Sequence, residues 1–215
     1  MGNDQKGLYW ATENVLDKNG NDNFGTLYAW GEITPTACYK DWSGYFDGAS
    51  TAGFTNYIFN GGSTRLKPEH DVATQEWGGS WRMPTWDDWD LLISVSHFTL
   101  ETTRPGAKVV AQNGGEIIFP FAGYKEDGYI KDRNLPQEGK YYGRYWSSDL
   151  YQDKEGVSGN KKDNSAFMLY MYFNTSTSPE DYIINKIDNF RYTGLPIRPV
   201  SDELTERTGI PVATG

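Results

Sequence analysis

Helical periodicity is confined to one stretch of this chain, from Pro68 to Ser94, and apolar–polar alternation with turn residues takes over beyond it. That asymmetry points to an α+β fold: two short helices, then a twisted antiparallel sheet with long ordered loops. The first helix opens at Pro68-Glu69-His70-Asp71, with Pro at a favourable first position, carries Val72, Ala73 and Trp77, and stops at Gly78-Gly79. The second is predicted from Trp86 to about Ser94. Thr85 is its N-cap, Asp88 completes a capping box with Asp in place of Glu, and Trp86, Trp89, Leu92 and Ile93 fall roughly in phase. The connecting string Trp77 to Thr85 (WGGSWRMPT) reads as a helix–helix joint, in which Arg82 can stack on a ring or pair with a carboxylate.

Strands are expected at Gly7–Val15 and Leu27–Glu32, then at Lys108–Gln112 and Glu116–Pro120 as a hairpin around Asn113-Gly114-Gly115. Further strands are expected at Arg144–Ser148, Ala166–Phe173, Asp181–Ile187 and Leu195–Val200. Residues 40–62 read as a long packed loop, rich in Gly, Ser, Asn and aromatics. No internal repeat breaks the chain, so residues 1–200 are expected to form one domain and residues 201–215 a polar extension.

Composition removes several function classes. One cysteine, Cys38, excludes an intrachain disulfide framework and any multi-cysteine zinc site. A net charge of -9 argues against nucleic acid or an anionic bilayer as the main partner, because both require a positive face. No apolar run reaches the ~18 residues of a membrane span. Tyr (15), Phe (10) and Trp (8) are abundant although only 37% of residues are hydrophobic, a balance that suits a folded chain with rings both in its core and on its surface.

Catalytic patterns are weak. His70 and His97 are the only histidines, and neither has a second ligand at i+4. Ser147-Ser148 lacks a nucleophile elbow. Carboxylates beside aromatics, at Asp87-Asp88-Trp89-Asp90 and Glu180-Asp181-Tyr182, have the look of a glycosidase pair, but among 29 acidic residues such neighbours arise by chance. Asp17-x-Asn19-x-Asn21-Asp22 has alternate oxygen ligands like a calcium loop, yet lacks the Gly and Glu of an EF-hand, and a turn that satisfies its own backbone is the favoured reading. The reading is of a protein that is not an enzyme and carries no metal or cofactor.

Six strings occur in a fixed order: GLYWATENV from Gly7, LYAWGE from Leu27, LKPEHDVATQEWGGSWRMPT from Leu66, FPFAGY from Phe119, YWSSD from Tyr145 and GLPIRPV from Gly194. Together they resemble the Fibrobacter succinogenes major paralogous domain, common in exported proteins of gut Bacteroidetes, over residues 7–200. The resemblance implies a C-type-lectin-like fold, the architecture that also displays the variable region of diversity-generating retroelement proteins. Met1 to Lys6 do not read as a signal peptide, so the residues alone leave a cytoplasmic chain and one whose signal segment has been removed equally open; the resemblance implies the second, with export to the cell surface or beyond, or attachment as a lipoprotein. There are departures. Glu13 stands where the family often has Cys, Trp146-Ser147-Ser148-Asp149 replaces the Trp-Asn-Asp strand of calcium-dependent lectins, and one Cys rules out the formylglycine-generating chemistry of related domains.

In that architecture the segment preceding the last strand carries the ligand contacts. Here it spans residues 141–191, and the expected anchors are Tyr142, Arg144, Tyr145, Tyr151, Tyr172, Asn174, Asp181 and Tyr182. Tyr and Asn make adaptable contacts at modest entropic cost, whereas strand alternation requires some of the tyrosines to face inward. The expected function is non-catalytic binding or adhesion at a cell surface, toward a glycan or protein on another cell or host surface. The alternative is a structural role in a surface assembly such as a pilus tip or lipoprotein scaffold.

Overall fold

The computed structural model describes residues 8–16, 23–35, 45, 64–134, 136, 138–151, 165–177 and 181–203. They form a mixed α+β molecule with few helices and small antiparallel sheets. The Asp17 loop, almost all of residues 40–62, and residues 152–164 and 204–215 lie outside the described residues.

A single 3-10 turn at Pro68–His70 leads into helix α1 (Val72–Trp77). The Asp71 side chain caps α1 by accepting from Thr74 N at 3.0 Å, and the helix ends at Gly78, whose φ of 67° reverses the chain. Helix α2 (Trp86–Val95) starts with both halves of the expected capping box: Asp88 N donates to Thr85 Oγ1 at 3.1 Å, and Thr85 N donates to Asp88 Oδ2 at 2.7 Å. Arg82 pairs with Asp88 at 2.6 Å, so the carboxylate option for this residue is the one realised. The joint between the helices is also a strand.

That strand, β2 (Trp81–Arg82), pairs with β11 (Val200–Ser201), which pairs in turn with β1 (Tyr9–Trp10). Most of the expected strands at Gly7–Val15 and Leu195–Val200 therefore lie outside a regular ladder. Their backbones still run side by side, with Ala11 N donating to Pro199 O and Val15 N to Ile197 O, but Pro196 and Pro199 offer no N–H and leave the pairing broken. In the expected strand at Leu27–Glu32 only Tyr28 bridges, to Leu195, and Gly31 (φ 80°) turns the chain. Ser201 is buried within β11, so regular structure continues past the expected domain boundary.

Strands β3 (Ser96–Glu101), β4 (Gly106–Ala111) and β5 (Glu116–Pro120) make a second sheet that contains the expected hairpin; β3 is an addition to the sequence reading. A two-stranded ribbon, β6 (Tyr124–Glu126) and β7 (Tyr129–Lys131), turns through Asp127 (φ 52°) and Gly128 (φ 78°). The largest sheet has the order β10-β9-β8, with β8 (Lys140–Leu150), β9 (Ser165–Asn174) and β10 (Tyr182–Phe190).

Both faces of this sheet are used. Tyr145, Leu169, Met171 and Phe173 join Trp89, Leu92, Phe98 and Phe119 in one core cluster. Trp146, Met168, Ala166 and Leu150 join Trp30, Trp77, Trp81 and Ile197 in a second. Buried indoles are tied to backbone: Trp30 Nε1 donates to Ser147 O at 2.9 Å and Trp146 Nε1 to Tyr28 O at 3.0 Å. Among the described residues, no helix is long and apolar enough to cross a membrane.

Candidate functional site

Strand register sorts the expected anchors. Tyr142 pairs with Tyr172, which pairs in turn with Ile183, and Arg144 pairs with Tyr170, which pairs in turn with Asn185, so these six residues share one face of the large sheet. Farther along that same face, Trp146, Met168 and Ile187 pack on the second core cluster. Tyr170, and Tyr124 from the β6–β7 ribbon, still pack against that cluster. The other end carries partly exposed tyrosines and Ile183, which is 52% exposed.

Arg144 organises this open end. Its guanidinium lies 4.7 Å from the Tyr124 ring centre, 5.3 Å from that of Tyr142 and 5.9 Å from that of Tyr170, and it pairs with Asp132 at 3.0 Å. Only 16% of its side chain is exposed, so it holds the rings in place from beneath and they form the surface. Tyr142 also tilts against Tyr172, with ring centres 5.6 Å apart. Burial pushes the Tyr170 hydroxyl above its ordinary pKa, with Arg144 opposing, so at neutral pH this phenol is a neutral donor and acceptor. The β6–β7 ribbon extends the surface with Tyr129, 71% exposed, and Lys131, whose ammonium sits over Tyr124 and pairs with Glu126 at 2.6 Å.

Of the eight expected anchors, Tyr142, Arg144 and Tyr172 come together here. Tyr145 does not. It is fully buried between Trp89 and Phe119, its hydroxyl donates to Pro120 O, and it points to the opposite face because strand neighbours alternate. Tyr182 is also on the core side, packed on Phe173 and His97. Asn174 and Asp181 close the β9–β10 turn: Asn174 Nδ2 donates to Asp181 Oδ2 at 3.3 Å, Thr177 Oγ1 donates to the same oxygen, and Ser176 N donates to Asn174 Oδ1. Tyr151 lies at the far end of the sheet, edge-on to Phe167. Arg191, the expected limit of the segment, is wholly buried beside Trp30.

Sequence reasoning missed Asp132 and the ribbon that carries it. A signal was present in Asp127-Gly128, the dipeptide of a two-residue hairpin turn, flanked by Tyr124-Lys125-Glu126 and Tyr129-Ile130-Lys131. Among the described residues, no group of three His, Cys, Asp or Glu side chains converges on a metal position. No family model, curated protein or solved structure matches this chain.

Proposed function

We propose that this chain is a C-type-lectin-like domain acting as a non-catalytic binding and adhesion module at a cell surface, with a glycan or protein partner seated on the tyrosine face. One observation carries the reading: Arg144 and Asp132 hold Tyr124, Tyr142 and Tyr170 in fixed positions, and among the described residues neither core cluster takes in Tyr142 or Tyr172. Buried charge invested in orienting partly exposed rings makes little sense for a face that contacts nothing. Rings fixed before binding lose little entropy on contact, and tyrosine offers a flat apolar face with a polar edge. The order of motifs from Gly7 to Val200 supports the fold assignment.

The test is a glycan and protein-ligand array probed with the wild type, Y142A and Y172A. Each substitution is expected to cost about 2 kcal/mol, roughly a thirtyfold loss of affinity, with the melting transition nearly in place. Affinity unchanged in both variants would overturn the assignment of this face and favour a scaffold role or a different surface.

A further inference from the structure

A cavity of about 440 Å³ lies away from the tyrosine face, enclosed by the segment after β1, residues 23–25, the β3–β4 turn, β5, Asn134 and Arg198. Its size is in the range of ordinary small-molecule sites. The walls are pinned to one another. Asn14 Nδ2 donates to Phe24 O at 2.6 Å, Thr26 N donates to Val15 O, Phe121 N donates to Pro105 O and Asn134 N donates to Phe121 O. Gly25 (φ 86°) is seated so closely that an added Cβ would lie 2.4 Å from Asn14 Cβ. The described walls are thus held to one another by the chain's own hydrogen bonds.

Its chemistry runs against that of the whole molecule. The chain carries a net charge of -9, yet the lining holds two arginines, Arg104 and Arg198, against one carboxylate, Glu13. Arg198 is 1% exposed; it donates to Ala11 O at 2.9 Å and Ile118 O at 2.7 Å, and its Nε has no partner. Glu13 and the Tyr145 hydroxyl are the groups whose electrostatics reach Arg198, while Arg104 stands exposed. Asn14 Oδ1 and Asn134 Oδ1, also in lining residues, are buried without partners. Phe24, Pro105, Pro120 and Ile118 supply apolar wall, while Arg104, Thr103, Thr12 and Asn23 stand exposed at the mouth.

We infer that this cavity is a binding site for an acidic monosaccharide: the carboxylate at Arg104 with Arg198 behind it, hydroxyls toward the threonine and asparagine groups, and the C–H faces of the ring against Phe24 and the prolines. A bare anion would leave the apolar wall unused, and a neutral sugar would make no use of the charge on Arg104, exposed at the mouth. The site stands independently of the tyrosine face.

The test uses the full chain, titrated with D-glucuronate by calorimetry and ligand-observed NMR, with D-glucose and acetate as controls. Saturable glucuronate binding is expected, at least tenfold tighter than either control. Arg104→Gln removes an exposed charge and is expected to leave the melting temperature in place while weakening glucuronate at least tenfold, as befits a charge-assisted hydrogen bond. Tyr142→Ala is expected to leave glucuronate binding unchanged. Absence of saturation, equal binding of either control, an indifferent Arg104→Gln, or loss of binding in Tyr142→Ala would each overturn the assignment.

Discussion

Tyr145 and Tyr142 are three positions apart on β8, and alternation puts them on opposite faces. Their substitutions should therefore diverge. Y145A removes a fully buried ring and is expected to cost about 3–5 kcal/mol, whereas Y142A should stay within about 0.5 kcal/mol, both read from urea unfolding. Asp71 makes a second prediction at this scale. It is 5% exposed, accepts from Thr74 N and Met83 N, and burial pushes its carboxyl up to about 6. The native state then binds a proton more tightly than the unfolded chain does. The resulting stability is fully present below the ordinary carboxylate pKa near 4 and is lost as pH rises through about 6, a change of the order of 3 kcal/mol. The stability gap between wild type and D71N should accordingly be wider at pH 4.5 than at pH 7. A gap that is flat or narrows toward acid would contradict the sign.

Two short elements hold positions that their own length could not secure. Helix α2 has ten residues, marginal alone, and depends on Thr85, Asp88 and the Arg82–Asp88 pair at its start. Arg82 holds the Asp88 carboxyl below the ordinary range despite burial, so its contribution is present above the ordinary carboxylate pKa and lost as pH falls. Replacing the cap, T85A, is expected to cost about 1 kcal/mol and to lower the melting temperature measurably in a calorimetric scan. The ribbon β6–β7 depends instead on Gly123, at φ 72°, where a Cβ would meet Lys131 O at 2.2 Å. G123A should destabilise by more than about 1 kcal/mol and shift the ribbon, so any partner of the tyrosine face should be weakened as well. Affinity retained alongside lost stability would show that Tyr124 is not part of that surface.

At the scale of the molecule, the N-terminal strand, the joint between the helices and the C-terminal strand share one sheet, which ties distant parts of the chain together. The described residues bring no metal-binding group of acids and histidines together, and the sequence lacks the motifs of calcium-dependent lectins. Chelation with EDTA is therefore expected to leave both melting temperature and partner affinity unchanged. A fall of many degrees would identify a metal site, with the Asp17 loop the first place to search.

Local signals were enough for the helices and the hairpin around Gly114. Thr85 and Asp88 satisfy each other over three residues, Pro68 opens and Gly78 ends the first helical stretch, and Asn113-Gly114-Gly115 turns by its own chemistry, so no distant contact is needed to read them. Alternation likewise located the strands of the large sheet to within a few residues. It did not say which alternate face would be open. Tyr142 and Tyr145 are the same residue type on the same strand, and only the register against β9, with Trp89 and Phe119 packing on one side, decides that Tyr145 is core. Arg144 is visible in the sequence as a candidate but not as the hub of three rings, because Tyr124 and Asp132 reach it from outside residues 141–191. Register and docking join residues far apart in sequence, and a pattern with a period of two or 3.6 residues contains no information about them.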